Sequence, residues 1–275
     1  CKSMEIPTSR CPSEYTVVVE VWPVSVFLMA VFLGSYVQGI TGFALGIVVM
    51  AIVAAAQVYG VADMAAVISF LAFVNVGVAL YGHARDVDWG LWLSLSVGQL
   101  TAIGVGIWLL HQLSSNAENV LYLILGVFIV GGSASMVLRP TPRSMRSPIW
   151  STVVAGAGGG LVGGMFAASG PVIGWFAYRQ PIPVATVRAT LLAGYLVTTT
   201  TRSMVVGFSG GLSEIVWQLT ALGLPAVALG TWLARRHAAL FDEGNMRRVA
   251  FTTLLLLGIG IIASAVFALT QTVTV

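Results

Sequence analysis

The sequence predicts an all-α polytopic membrane protein made of two inverted repeats, each a broken-helix hairpin followed by three transmembrane helices. Three observations carry that expectation: the composition, the spacing of the apolar runs and the distribution of arginine. Of 275 residues, 57% are apolar and 8% charged, against about a quarter charged in an ordinary soluble chain. Mean hydropathy is +0.94, and 31 glycines accompany 8 tryptophans. A chain this apolar satisfies its backbone inside lipid as helices. The net charge of +3 rests on 13 basic residues, all arginine except Lys2, and most of them flank apolar runs. That placement reads as topology and argues against a nucleic-acid partner.

Residues 1–21 form a polar leader containing Cys1, Cys11, Glu5, Glu14 and Glu20. It has no small-residue cleavage site behind a short apolar core, so it does not resemble a cleavable signal. Apolar runs then occupy 22–56, 62–82, 89–110, 120–138, 149–178, 184–206, 212–233 and 249–270, where about 20 residues cross the hydrocarbon core. Six have single-span length. The first and fifth are too long for one span and are interrupted midway by small residues, Gly39-Ile40-Thr41-Gly42 and Ser169-Gly170-Pro171. Each is expected to turn back toward its own side.

Charge parity separates that arrangement from eight simple crossings. If every run crosses, basic residues divide six against six. If the first and fifth return, one side collects Arg85, Arg139, Arg143, Arg146, Arg179, Arg188, Arg235, Arg236, Arg247 and Arg248, leaving Lys2 and Arg10 opposite. Ten against two obeys the positive-inside rule and places both termini outside the cytoplasm. The units are then a first transmembrane repeat, 22–138, a basic cytoplasmic linker, 139–148, and a second repeat, 149–275. Each holds an odd number of crossings, so the two are inverted. Gly106-Ile107-Trp108-Leu109 echoes Gly230-Thr231-Trp232-Leu233, and Trp92 echoes Trp217 at an offset of 125 with one residue gapped between the matches. Inverted repeats with broken helices are a common architecture of secondary transporters, whose sites lie near the midplane.

The glycine-rich stretches VQGITGFALGIVVM (37–50) and AGAGGGLVGGMFAASGPVIGWF (155–176), with DVDW (86–89), VRATL (187–191) and LPAVALGTWLARR (224–236), resemble the sulfite exporter TauE/SafE (TSUP) family of membrane anion transporters. The resemblance covers nearly all of the chain after residue 25. It implies export or exchange of small sulfur-containing or organic anions, sulfite or sulfonate-like, across the bacterial cytoplasmic (inner) membrane. The tips here read Phe43-Ala44-Leu45 and Ala167-Ala168-Ser169, a departure from the family's glycine-rich tips that bears on substrate choice.

A helix that begins inside the membrane offers unpaired N–H groups and the positive end of its dipole to an anion. Ser169, Gly170 and Pro171 read as a cap and first turn, and Thr41 with Gly42 as their counterpart. The competing reading is close helix packing through small residues. Arg202 is the basic residue inside a crossing run and follows four threonines; Tyr195, Thr198, Thr199 and Arg202 share about one face. Either they line an anion path, or Arg202 snorkels to the interface while the threonines bond back to their own helix. Asn75 falls opposite Thr200 at the 125-residue offset, which brings both toward the tips; a helix-joining Asn is the alternative. Gln38 and Gln99 are weaker candidates of the same kind.

Other signals point away from chemistry. Gly158-Gly159-Gly160-Leu161-Val162-Gly163 matches the dinucleotide pattern literally but follows no strand. His83, His111 and His237 stand singly at run ends, so no metal or cofactor is expected. No His, Cys and carboxylate grouping supports an enzyme. The ten acidic residues lie in the leader, in loops or at run ends, so a mid-membrane carboxylate proton relay is not expected. The expected partners are a small anion and the lipid bilayer, with a homo-oligomer left open. The remaining alternatives are a non-transporting scaffold or receptor and a transporter of a different small solute.

Overall fold

The computed structural model describes residues 21–138, 142–210, 212–237 and 243–273, with the side chains of Met136, 243–250 and 271–273 left undescribed. The cysteines, Lys2 and Arg10 of the leader, Arg139, and the side chains of Arg247 and Arg248 lie outside that description. The described residues form helices and no strand. In chain order the helices are α1 (Val21–Thr41), α2 (Leu45–Ala56), α3 (Val61–Leu80), α4 (Trp89–Asn116), α5 (Glu118–Val137), α6 (Ile149–Phe166), α7 (Gly170–Ala177), α8 (Val184–Phe208), α9 (Glu214–His237) and α10 (Glu243–Val273).

Among the described residues, seven helices are long and apolar enough to cross a membrane: α1, α3, α4, α5, α6, α9 and α10. The protein is a multi-pass membrane protein. α8 has 25 residues but falls outside that group because Arg188, Arg202 and the threonine run lower its hydropathy. Both long apolar runs break where small residues interrupt them. The first divides at Gly42, which has a φ of +87° that glycine adopts without a Cβ clash. The second divides at Ala167, whose φ of +50° closes α6 in the left-handed region. The arms are unequal. α1 has 21 residues against 12 in α2, and α6 has 18 against 8 in α7.

Contacts between helix ends sort the loops into two groups. At one end Arg146 pairs with Asp88 at 2.9 Å, and the Arg143 N–H donates to the Arg179 carbonyl at 2.8 Å. Ser147 and Gln180 exchange hydrogen bonds of 3.0 and 2.9 Å, and Arg235 donates to the carbonyls of Val78 and Tyr81. Arg179 and Arg236 lie over the rings of Trp175 and Trp232. At the other end Tyr59 packs edge-on against Phe27, Ser213 donates to Asp63, and Gln57 and Glu118 line one cavity. The five arginines of the first group, Arg143, Arg146, Arg179, Arg235 and Arg236, are among the ten that the ten-against-two count puts on one side. Asp63, Glu118 and Glu214 fall at the other end.

Packing shows an exchange of partners. α1 lies against α9 and α6 against α4; α3 lies against α9 and α8 against α4; α2 lies against α10 and α7 against α5. Replacing each of α1–α5 by its counterpart five helices later turns every one of these pairs into another of them, while α3 with α8 and α5 with α10 pair with themselves.

The α4–α6 contact shows what glycine contributes in lipid, where helices associate by close packing. Gly156, Gly160 and Gly164 recur every fourth residue on α6 and meet the backbone of Leu95, Gln99 and Ile103 on α4. Gly98 and Gly106 reciprocate against Val153 and Leu161; a Cβ at any of the five would stand 2.0 to 2.4 Å from a backbone oxygen. The dinucleotide-like string is therefore helix-packing sequence. The outward faces carry Leu93, Val97, Leu100, Val105 and Trp108, and Trp22, Trp89, Trp150, Trp217 and Trp232 are exposed toward helix ends, as in interfacial aromatic belts.

Candidate functional site

The two chain breaks overlap side by side in the interior. A Cβ on Gly46 would stand 2.2 Å from the Ala167 carbonyl oxygen, and one on Gly170 would stand 2.4 Å from that of Phe43. Phe43 also covers Gly174 and packs against Tyr178, whose hydroxyl donates to the Thr41 carbonyl at 3.1 Å. The starts of α2 and α7 therefore lie together. Neither has a side-chain cap from its N-cap residue.

At the first break, polar side chains join three helices. Gln38 accepts from the Leu45 N–H at 2.7 Å and donates to the Asn75 carbonyl oxygen at 2.5 Å. Asn75 donates to Thr231 at 2.7 Å, and Thr231 donates to the Val227 carbonyl. All three side chains are buried. Gln38 thus takes the role expected of Thr41, whose hydroxyl bonds back to Val37 one turn earlier. Thr41 ends α1 and does not begin α2; an amide on the preceding turn is long enough to reach across the break. Gly42 lies against Arg188.

At the second break, Thr198 donates to the Gln99 side-chain carbonyl and stands 3.4 Å from the Ser169 hydroxyl. Ser169 precedes α7 as expected, but its own backbone is helical (φ −63°, ψ −21°) and its hydroxyl caps nothing. That geometry turns the side chain toward α8. Thr200, at the 125-residue offset from Asn75, is half-buried, and the threonine that faces the second break is Thr198. Thr199 bonds back to Tyr195 and Leu196. Tyr195 donates to the Ala167 carbonyl at 2.5 Å, pinning the left-handed turn.

Arg202 does not snorkel. It is buried, with Nε donating to the Ala65 carbonyl at 3.2 Å and Nη1 to that of Gly164, so its side chain joins α8 to α3 and α6. Among the described residues no carboxylate pairs with it, since Asp63, Asp86, Asp88, Glu118 and Glu214 stand at helix ends. Two carbonyls use part of a guanidinium that carries five N–H donors.

The break thus gathers Gln38, Thr41, Gly42, Asn75, Ser169, Gly170, Tyr195 and Thr198, with Arg202 one turn further along α8. Gln99 and Thr231 complete the two networks. Thr231 is a polar residue inside a repeated apolar motif, Gly230-Thr231-Trp232-Leu233, and that position was its signal. Two cavities lie elsewhere: one of about 240 Å³ at the arginine-rich end beside Asp88, Arg146 and Gln180, and one of about 480 Å³ at the opposite end between α2, α5 and α10. Neither cavity is lined by a residue of the two networks. No group of three His, Cys, Asp or Glu residues able to hold a metal occurs among the described residues.

Comparison with known proteins bears on this arrangement. The family model described as sulfite exporter TauE/SafE matches residues 26–261. A protein of Cupriavidus necator named "Probable sulfite/organosulfonate exporter TauE" is 36% identical over 235 residues, which cover 86% of this chain and 92% of that protein. No solved structure is a significant match.

Proposed function

Because the chain belongs to the sulfite exporter TauE/SafE family, we propose that it is a secondary transporter exporting small sulfur-containing or organic anions, sulfite or sulfonate-like, by alternating access. The observation that carries this reading is the pairing of two short-helix starts in the interior beside a buried arginine that no described carboxylate neutralises. Helix N-termini and a guanidinium both favour a negative guest. Burying an ionisable residue in a membrane is costly enough to point to function. The candidates to hold the anion are Ser169, Gly170, Tyr195, Thr198, Thr199 and Arg202 on one side and Gln38, Thr41, Gly42 and Asn75 on the other.

In this reading 22–138 and 149–275 are inverted repeats, and the exchange of packing partners between α1–α5 and α6–α10 supports it. The arginine-rich end faces the cytoplasm by the positive-inside rule. Residues 139–148 then form a cytoplasmic linker, and the leader and both termini are extracytoplasmic, in the cytoplasmic membrane of a bacterium. The repeats rock about the overlapping breaks, opening the site to each end in turn. The chemistry is transport and not catalysis.

The test is flux from proteoliposomes loaded with sulfite, sulfate, methanesulfonate or acetate, each compared with empty liposomes. The expected result is selective release of sulfite or of the sulfonate. Folded protein that moves none of the four overturns the proposal.

A further inference from the structure

The two breaks are alike in backbone and unlike in polar bookkeeping. At the first, the α2 start already has its acceptor, since the Leu45 N–H donates to Gln38, and Gln38, Asn75 and Thr231 satisfy one another in sequence. At the second, α7 has no side-chain cap, and the amide nitrogen of Gln99, fully buried, has no hydrogen-bond partner among the described residues. A buried unsatisfied donor is unfavourable, and native proteins fill such a place with a partner, a water or a ligand. Space for a methyl-sized group is present beside it. Gly194 faces that nitrogen, and beyond its own helix a Cβ there would meet within 4 Å just the Gln99 Nε2, at 3.5 Å. A buried glycine with room for a methyl group marks a small void, and its one near neighbour is the unpaired donor.

From this asymmetry we infer that the second break alone binds the anion, while the first is a closed counterpart that locks α1, α3 and α9 together. The inference rests on the transport reading above and narrows it to one site. The ligand is a small oxyanion, sulfite or the headgroup of a sulfonate. It accepts from Gln99 Nε2, from the Ser169 hydroxyl and from the uncapped start of α7, with Thr198 orienting the Gln99 amide through its carbonyl oxygen. Gln99 is thereby a specificity-determining residue: it offers N–H groups where an asparagine, one methylene shorter, would not reach the same point.

Gly194→Ala tests this without disturbing the fold. Its methyl group makes ordinary van der Waals contact, and alanine favours a helix over glycine, yet it occupies the space in front of the donor. The full chain in nanodiscs is titrated with sodium sulfite and with sodium methanesulfonate by calorimetry, with sodium chloride as the ionic-strength control. Gly194→Ala and Gln99→Leu are expected to raise the Kd about tenfold or more, and the melting temperature of Gly194→Ala is expected to stay level or rise. If Gly194→Ala binds as the parent does, the void holds water only and the inference fails, while the parent's own binding keeps the transport reading. A parent that binds neither anion overturns both.

Discussion

Substituting Gln for Arg202 is expected to lower anion flux at least about a hundredfold while the protein still folds. A hundredfold corresponds to ~2.7 kcal/mol, within the roughly 4 kcal/mol that two unit charges 4 Å apart exchange at an effective dielectric near 20. Glutamine is short of the fork that reaches both the Ala65 and Gly164 carbonyls, and a neutral amide offers an anion no charge. Leaving a buried carbonyl unsatisfied costs about 1–3 kcal/mol, offset by relief from burying a cation. The expected melting temperature is therefore lower, with the fold retained. Arg202→Lys keeps the charge and loses the two-point geometry, so its flux falls between the two. Initial rates in proteoliposomes, matched for folded protein, give the comparison. Parent-level flux in Arg202→Gln would assign the residue to joining α3, α6 and α8, and the scaffold reading would gain.

The second large effect is structural. Gly46→Val drives a side chain into the Ala167 carbonyl oxygen, 2.2 Å from the nearest possible Cβ, and into the Tyr195 hydroxyl at 2.8 Å. Both crowd the place where the breaks overlap, and the first is backbone that cannot rotate aside. Overpacking of a tight contact costs about 1–3 kcal/mol and more where backbone must move, so Gly46→Val is expected to melt well below the parent in detergent and to lose its monodisperse peak. Gly77→Ala is the control, because nothing lies within 4 Å of its Cβ position; it is expected to melt with the parent. Equal melting of Gly46→Val and Gly77→Ala would mean that the breaks do not pack as described.

The helices were legible because lipid imposes a simple rule: apolar runs of spanning length, ended by charge or interrupted by small residues. Gly42 and the turn before Gly170 divide the two long runs where small residues occur. Arginine counting anticipated which loops share an end, and Arg146 with Asp88 and Arg235 with Val78 and Tyr81 bring those loops together. The polar networks were less legible. Sequence gives the pitch of a helix but not which turn faces which, so Thr41 was expected where Gln38 reaches, and Thr200 where Thr198 stands. The silent hydroxyl of Ser169 follows from its helical backbone angles, a property that no residue pattern at this position encodes. Close glycine contacts are likewise a matter of which helices meet: Gly160 and Gly77 look alike in the sequence, and only one touches a neighbour.

Anion export needs no proton relay if the membrane potential drives it. An interior held negative by 100 mV pushes a monovalent anion outward by about 2.3 kcal/mol, and the described acidic residues all stand at helix ends, away from Arg202. The most direct test is sulfite efflux from proteoliposomes whose potential is set by a potassium gradient and valinomycin, with pH equal on both sides. Efflux that accelerates as the interior becomes more negative and slows when the sign is reversed is the predicted result. Efflux indifferent to potential, or absent until a pH gradient is added, would contradict it.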